Sequence, residues 1–470
     1  MIHKSLNFMH FSTHFFITGL LCLFAFPTYA QLDEGLGEAA APNVYRPKEA
    51  VSGTYIQWSG HYRARGLFQE NIFIGSSDYA DLYSHRLRLN GSFSPNDDIQ
   101  AHFSANLYGN LGGNRRGNLG LDQSLVNDSS SDHELQLLKA YGEWDFWRGF
   151  FLNFGRQQLD WVNEAMISPN EDDDRPYSFD GLVVHYSDSV VHFQAGVLRL
   201  GDWSSQNGDN LDPSEDSYFA SIELKGYFNL LKEAQLFFYR TQADSFENAD
   251  LGLSLQGGSF NRFGVALNGE SSSLYYTLDY INFTGTYSDG VAAAGNMGHL
   301  KLGGIWGSSN RLRTYVVFHT DTGDDSSTAN DNESFDPLYY NHHQYAGLMD
   351  LLAWGNLTYY GVGFEFRPDD EQLFLLQFLT FQRTETGSGV SSIDYLGFDQ
   401  AFITEDINQN TNGFSARDLG FELDFLYKRE YSKTAYIELI LGAFIPGEYF
   451  ESYGREKDIY SARLTTGFSF

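Results

Sequence analysis

Along almost the whole chain, apolar and polar side chains alternate two residues at a time. Ile56, Trp58, Gly60, Tyr62 and Ala64 interleave with Gln57, Ser59, His61, Arg63 and Arg65. Leu87, Leu89, Gly91 and Phe93 interleave with Arg86, Arg88, Asn90 and Ser92, and Leu419, Phe421, Leu423, Phe425 and Tyr427 repeat the pattern late in the chain. A period of two sends successive side chains to opposite faces of a sheet, so each segment has one apolar face and one polar face. After residue 31 no run of eighteen apolar residues occurs, which excludes a membrane-spanning helix.

The gaps between these segments are as informative. Segments centred near residues 60, 88, 104, 140, 154, 183, 195, 222, 238, 264, 279, 302, 316, 362, 377, 421, 439 and 465 predict eighteen strands, with sixteen as the alternative because those near 154 and 183 are the least regular. Short connections such as Ser94–Asp98, Ser187–Ser189 and Pro368–Glu371 alternate with long ones such as Gly109–His133, Asp160–Ser178, Asp321–Trp354 and Thr384–Phe414. Short periplasmic turns, long external loops and an even strand count are the rule for transmembrane β-barrels of the outer membrane. The predicted fold class is therefore all-β, a transmembrane antiparallel barrel in a Gram-negative outer membrane, with lipid and lipopolysaccharide as its surroundings. Charge agrees: nearly all of the formal net charge of −31 falls in the long connections. That acidity excludes nucleic acid as a partner. An aromatic content of 16% argues against disorder, and a soluble β-rich protein would have no reason to place its charge in every second connection.

Residues 1–30 are expected to be a cleaved signal peptide: Lys4 is basic, Phe15–Phe26 is a short apolar core, and Ala30 is the small residue before the cut. Cleavage would remove Cys22, the only cysteine. Residues 31–51 read as a periplasmic lead-in and 52–470 as the barrel. The alternating end Leu464, Thr466, Phe468, Phe470 resembles the aromatic terminus by which barrel-insertion machinery recognises its clients.

In hydrocarbon every backbone N–H and C=O needs an internal partner, which a closed sheet supplies. Eighteen tilted strands enclose a lumen too wide for strand side chains alone to fill, so a water-filled passage narrowed by inward-folded loops is expected. Gly109–His133 is long enough to fold over or into the mouth. Alternation places Arg63, Arg65, Arg86, Arg88, Lys139, Lys301, Arg313, Arg367, Lys428 and Arg463 inward, together with Glu143, Glu365, Glu422, Asp424 and Glu438. The group Arg63, Arg65, Arg86 and Arg88 stacks four guanidinium groups on adjacent strands, and Arg463 joins them across the closure. Such ladders of fixed charge set pore selectivity.

Three stretches resemble the alginate-export family of eighteen-stranded outer-membrane barrels. They are Phe154-Gly155-Arg156-Gln157-Gln158-Leu159 with Phe179-Asp180-Gly181-Leu182 and Tyr186; Phe335-Asp336-Pro337-Leu338-Tyr339 through His343, Tyr345, Gly347 and Asp350 to Asn356-Leu357; and Asp418–Asp424 with Tyr427, Gly442 and Phe444–Gly447. The resemblance implies a monomeric conduit for a polysaccharide or other polyanion, with basic lumen residues guiding carboxylates. On the resemblance alone Arg156 joins the candidate channel-lining set, which by parity requires a bulge near Gly155. The family's long periplasmic turn before the last two strands is replaced here by Arg429–Lys433, which shifts weight toward a simple diffusion channel.

Other chemistry is weaker. The run Glu171–Asp174 and the group Asp321, Asp324, Asp325 and Asp331 offer oxygen ligands of the kind Ca2+ takes, but they lack EF-hand spacing and read rather as a solvated, divalent-bridged outer surface. His342-His343 reads as a mouth or interface pair beside Tyr339, Tyr340 and Tyr345. Gly109–Gly120 lacks the ending of a phosphate loop. No cofactor, zinc or nucleophile motif is found in the sequence. The barrel's expected function is an outer-membrane channel, porin or exporter, passing polysaccharide or other anionic or small hydrophilic solutes. The alternative is an enzyme or adhesin acting through the external loops.

Overall fold

The computed structural model describes residues 55–71, 79–116, 133–172, 176–200, 215–228, 230–243, 246–248, 253–255, 257–307, 311–325, 331–386, 416–432, 434–452 and 456–470. The expected signal peptide and lead-in lie outside the described residues, as do the tips of Gly109–His133 and Thr384–Phe414.

Eighteen strands form one closed antiparallel barrel. In chain order they are β1 (Tyr55–Glu70), β2 (Tyr79–Ser94), β3 (Ile99–Arg116), β4 (His133–Trp147), β5 (Phe150–Gln157), β6 (Phe179–Ser187), β7 (Val191–Leu200), β8 (Glu215–Phe228), β9 (Leu231–Ala243), β10 (Gly258–Glu270), β11 (Leu274–Tyr287), β12 (Ala292–Trp306), β13 (Leu312–Asp321), β14 (Leu357–Phe366), β15 (Gln372–Arg383), β16 (Asp418–Ser432), β17 (Ala435–Pro446) and β18 (Ile459–Ser469). Each pairs with its neighbours in sequence, and β18 closes on β1 from His61↔Ser469 to Glu70↔Tyr460. Gly60 and Phe470 exchange backbone hydrogen bonds of 2.7 and 2.9 Å, which seals the seam to the last residue. Closure leaves no strand edge to be satisfied by lipid.

Local chemistry sets the turns. Arg148 (φ +39°) and Gly149 (φ +89°) make the two-residue reversal between β4 and β5, the left-handed pair that matches strand twist. The Asp188 carboxylate accepts from the N–H groups of Val190 and Val191 at 2.8 and 2.7 Å, and Asn96 accepts from Asp98 and Ile99 at 3.0 and 2.9 Å. Such side-chain acceptors hold a turn without help from the rest of the fold.

The outward face carries exposed Leu89, Phe103, Phe154, Leu236, Phe263, Val316 and Phe364. Trp58, Trp144, Trp147, Trp306 and Phe366 cluster near the short-turn ends, an interfacial aromatic girdle. The buried core lies inside the barrel. It joins inward strand residues such as Phe219, Phe237, Tyr239, Phe283, Tyr359 and Phe381 to residues of two long connections, 158–178 and 322–356. The described residues of these two connections fold inward against the strand wall. Trp161 packs against Phe219 and Phe237 at ring distances of 5.1 and 5.5 Å, and Trp354 stacks on Tyr340 at 4.1 Å. The two connections also bond to each other: the Ser168 N–H donates to the Tyr339 carbonyl at 2.6 Å, and the Asn341 N–H to the Glu164 carbonyl at 2.9 Å.

Candidate functional site: an arginine wall facing an inward-folded connection

Strand register builds the site. Arg63 lies directly opposite Arg86, and His61 opposite Arg88. On the other side of β1, Arg65 pairs with Thr465 and Leu67 with Arg463. Arg63, Arg65, Arg86 and Arg463 are each under 8% exposed, so adjacent like charges need acceptors close by. The connection after β5 supplies them. Arg63 donates to the carbonyls of Glu171 and Asp172 at 3.0 and 3.1 Å, Arg86 to the Glu171 carbonyl at 3.2 Å, and Arg65 to the Asp172 carbonyl. Arg88 meets the Glu171 carboxylate with two bonds of 2.9 and 2.6 Å, and Gln158 adds a third at 3.0 Å. Burial alone would raise the Glu171 carboxyl; Arg88 and Arg86 outweigh it and hold the group down at about 2.

The connection before β14 completes the constriction. His343 Nδ1 donates to Asp350 at 2.9 Å while its Nε2 accepts from Arg463 at 2.6 Å, a relay from the wall to the loop. The Leu348 N–H donates to Asp424 at 3.3 Å and the Met349 N–H to Glu422 at 3.1 Å. Gly347 has φ +99°, and a Cβ there would lie 2.3 Å from a Glu422 carboxylate oxygen, so only glycine fits. At the far end of the same connection Asp321 accepts from the Gly355 and Leu357 N–H groups at 3.1 and 2.7 Å.

Lys139 shares the inward face with Ser104 at a bulge between β3 and β4, and Glu143 follows on that face beside Tyr141. Nearer the short turns, Lys301 pairs with Glu365 at 3.8 Å and covers the Tyr315 ring, and Arg313 pairs with Glu270 at 3.6 Å. Lys428 pairs with Glu430 at 3.5 Å, Glu438 approaches Arg463 at 3.9 Å, and Arg367 lies just past the end of β14 at the short-turn rim.

Several sequence readings need correction. Arg156 is not in the lumen: the β5 pairings with β4 and β6 run through Gly155 without a register shift, so Arg156 keeps the outward parity of exposed Phe154. It sits directly opposite Asp180 and bonds it at 2.8 Å. Glu171 and Asp172 are not a solvated outer surface but the acceptors of the arginine wall; Asp173 and Asp174 lie outside the described residues. Asp321 is a buried anchor for Gly355 and Leu357, and among the described residues no three His, Cys, Asp or Glu side chains group to hold a metal. His343 belongs to the constriction and Tyr340 and Tyr345 to the core, not to the mouth. Among the described residues, those of the connections at 158–178 and 322–356 narrow the lumen, while the middle of Gly109–His133 lies outside the described residues.

Two buried arginines escaped the sequence reading. Arg262 donates to the Asp336 carbonyl and carboxylate at 3.1 and 2.7 Å, and Arg383 to the Ala416 carbonyl at 2.6 Å. Alternation with outward Phe263 was the available signal for Arg262.

A closed barrel with an apolar, aromatic-girdled exterior and a polar lumen narrowed by inward loops is the architecture of an outer-membrane channel. The chain belongs to the Alginate export family, whose model matches residues 54–463. No curated protein matches its sequence. Solved structures with this fold include three from Pseudomonas aeruginosa. OccK9 (OpdG) is 9% identical with a TM-score of 0.59, covering 88% of this chain and 98% of that one. OccK2 (OpdF) in complex with glucuronate is 11% identical with a TM-score of 0.55, covering 88% and 98%. The outer membrane protein OprD is 10% identical with a TM-score of 0.54, covering 88% and 94%.

Proposed function

We propose that this channel passes small carboxylate-bearing solutes, of the size of a single sugar acid, along the wall formed by Arg63, Arg65, Arg86, Arg88 and Arg463. The observation that carries the reading is the concentration of five guanidinium groups on three neighbouring strands, β18, β1 and β2, in a protein of net charge −31. Arginine presents a planar fork that matches a carboxylate, and here the fork of Arg88 already grips one. A permeating carboxylate meets the same donors in confined water, where screening by salt is weaker than at the acidic external loops. The two inward connections favour a short solute over a polymer, because Glu422, Asp424, Asp321 and Arg262 fasten the second connection to the wall at several points.

Reversal potentials in a planar bilayer across a KCl gradient test the reading. The wild type is expected to prefer anions, and changing Arg63, Arg65, Arg86 and Arg88 together to Gln is expected to shift the potential toward cations. Glucuronate is expected to interrupt the current, while uronate oligomers of ten or more units pass no current blocks of their own. An unchanged reversal potential in the fourfold variant overturns the anion reading.

A further inference from the structure

At the short-turn end of the barrel a cavity of about 400 Å3 opens beneath the first inward connection. Asp160 and Glu164 from that connection line it, with Lys232, Asn268, Glu270 and Tyr275 from the wall of β9, β10 and β11. Most of the charges here are matched. Glu270 meets Lys232 at 3.4 Å and Arg313 at 3.6 Å, and Glu223 meets Lys225 at 3.3 Å. The Glu164 carboxylate accepts from the Asn341 side chain, and the Glu233 carboxylate accepts from Asn268 at 3.4 Å. Asp160 is different. Its carboxyl lines the cavity and takes no hydrogen bond or ion pair among the described residues, although it is enclosed by the barrel and faces Glu164, Glu233 and Glu223. Burial first, and then those neighbouring carboxylates, push it well above the ordinary carboxylate range. A carboxyl with like charges around it and no donor of its own is held neutral, and it ionises when a cation comes to sit beside it.

We infer that this cavity is a subsite for an organic cation, a primary ammonium or guanidinium group of a permeating solute, with Asp160 as its ion-pair partner and Glu164 as the second attracting charge. The cation is polyatomic: no three acidic or imidazole groups among the described residues converge on a metal ion, whereas the volume accommodates a small organic molecule. A solute carrying both charges then meets an acidic subsite near the short turns and the arginine wall at mid-lumen. The inference stands apart from the anion reading, since neither Asp160 nor Glu164 contacts the arginine wall.

The full-length protein in a planar bilayer, with n-butylammonium chloride added on the short-turn side, tests it; sodium butyrate and n-butanol are the charge-reversed and neutral controls. Butylammonium is expected to reduce the potassium current of the wild type, and n-butanol to leave it unchanged. Asp160→Asn is expected to raise the half-blocking butylammonium concentration about tenfold or more, the loss of one charge-assisted contact, without altering the response to butyrate. Failure of butylammonium to block the wild type, or equal block of wild type and Asp160→Asn, overturns the inference. Insertion of the variant is checked by its heat-dependent gel mobility. Should Asp160→Asn fail to insert, Glu164→Gln keeps the acceptor for Asn341 and removes the neighbouring charge: a half-blocking concentration raised about threefold or more supports the subsite, and an unchanged one overturns it.

Discussion

Arg88 on β2 grips the two carboxylate oxygens of Glu171 with bonds of 2.9 and 2.6 Å, fastening the first inward connection to the wall of β1 and β2. The loop's own carboxylate thus occupies the arginine fork that a permeating carboxylate would use. Glu171→Gln keeps the shape, removes the charge and loosens the loop. It is expected to raise single-channel conductance and strengthen anion preference, at a cost to barrel stability of about 1.5–3 kcal/mol. Conductance and the urea midpoint of refolded protein measure the two effects.

The pH dependence of this latch follows from the Glu171 carboxyl, lowered from an ordinary 4.5 to about 2. A depressed carboxyl contributes its full stability above its unfolded value and loses it as pH falls through the folded one. The latch is therefore intact from neutral pH down to about 4.5 and is released only as pH approaches 2. Single-channel conductance in the wild type should not open between pH 7 and 5 through this group. A step in that window that disappears in Glu171→Gln would contradict the assignment.

Strands and turns were legible in the sequence because their causes are local. A period-two pattern fixes the face of each residue, and turns such as Asp188–Val191 hold themselves. The lumen was legible only in part. Parity sent Arg63 and Arg86 inward, but nothing local said what would meet them. The inward course of the connections at 158–178 and 322–356 was not read, although hydrophobicity was the guide to it: Trp161, Met166 and Ile167, and the run Leu348–Trp354 with its single charge, cannot remain in water within otherwise acidic loops. The pairings Arg88–Glu171 and Arg463–His343 span 83 and 120 residues, and no sequence spacing encodes them.

Trp354 is the keystone of the second inward connection. It stacks between Tyr340, at 4.1 Å, and His319, at 4.6 Å, and is 1% exposed. Trp354→Ala leaves a large void and is expected to cost about 3–5 kcal/mol. The connection is then free to leave the wall, so conductance should rise and become noisier, and whole-cell protease should cut within 331–356. Wild-type conductance with wild-type protease resistance would show that the remaining anchors suffice.

Asp321 makes a separate test of those anchors. It receives the Gly355 and Leu357 N–H groups and lies 3.0 Å from His319 Nε2. Asp321→Ala strands two buried backbone donors, each worth about 1–3 kcal/mol. Hydrogen exchange at Gly355 and Leu357 should accelerate strongly while exchange in β1 and β2 stays slow. Uniform acceleration across the barrel would mean that the connection and the wall unfold as one unit.

Arg156 and Arg88 separate position in the sheet from charge alone. Both are arginines in strands, both bond a carboxylate, and each substitution to Gln removes one positive charge. Arg88 faces the lumen and Glu171; Arg156 shares the outward face with Phe154 and bonds Asp180 across to β6. Arg156 sits one residue before the end of β5, where a charge at the bilayer interface costs only about 0–1 kcal/mol. Low-dielectric wall lies between it and the pore, and the neighbouring carboxylate cancels most of its field. Arg88→Gln is therefore expected to move the reversal potential toward cations by a measurable step, and Arg156→Gln to leave it within error of the wild type. An equal shift in both would place Arg156 in the ion path and overturn the parity assignment of β5.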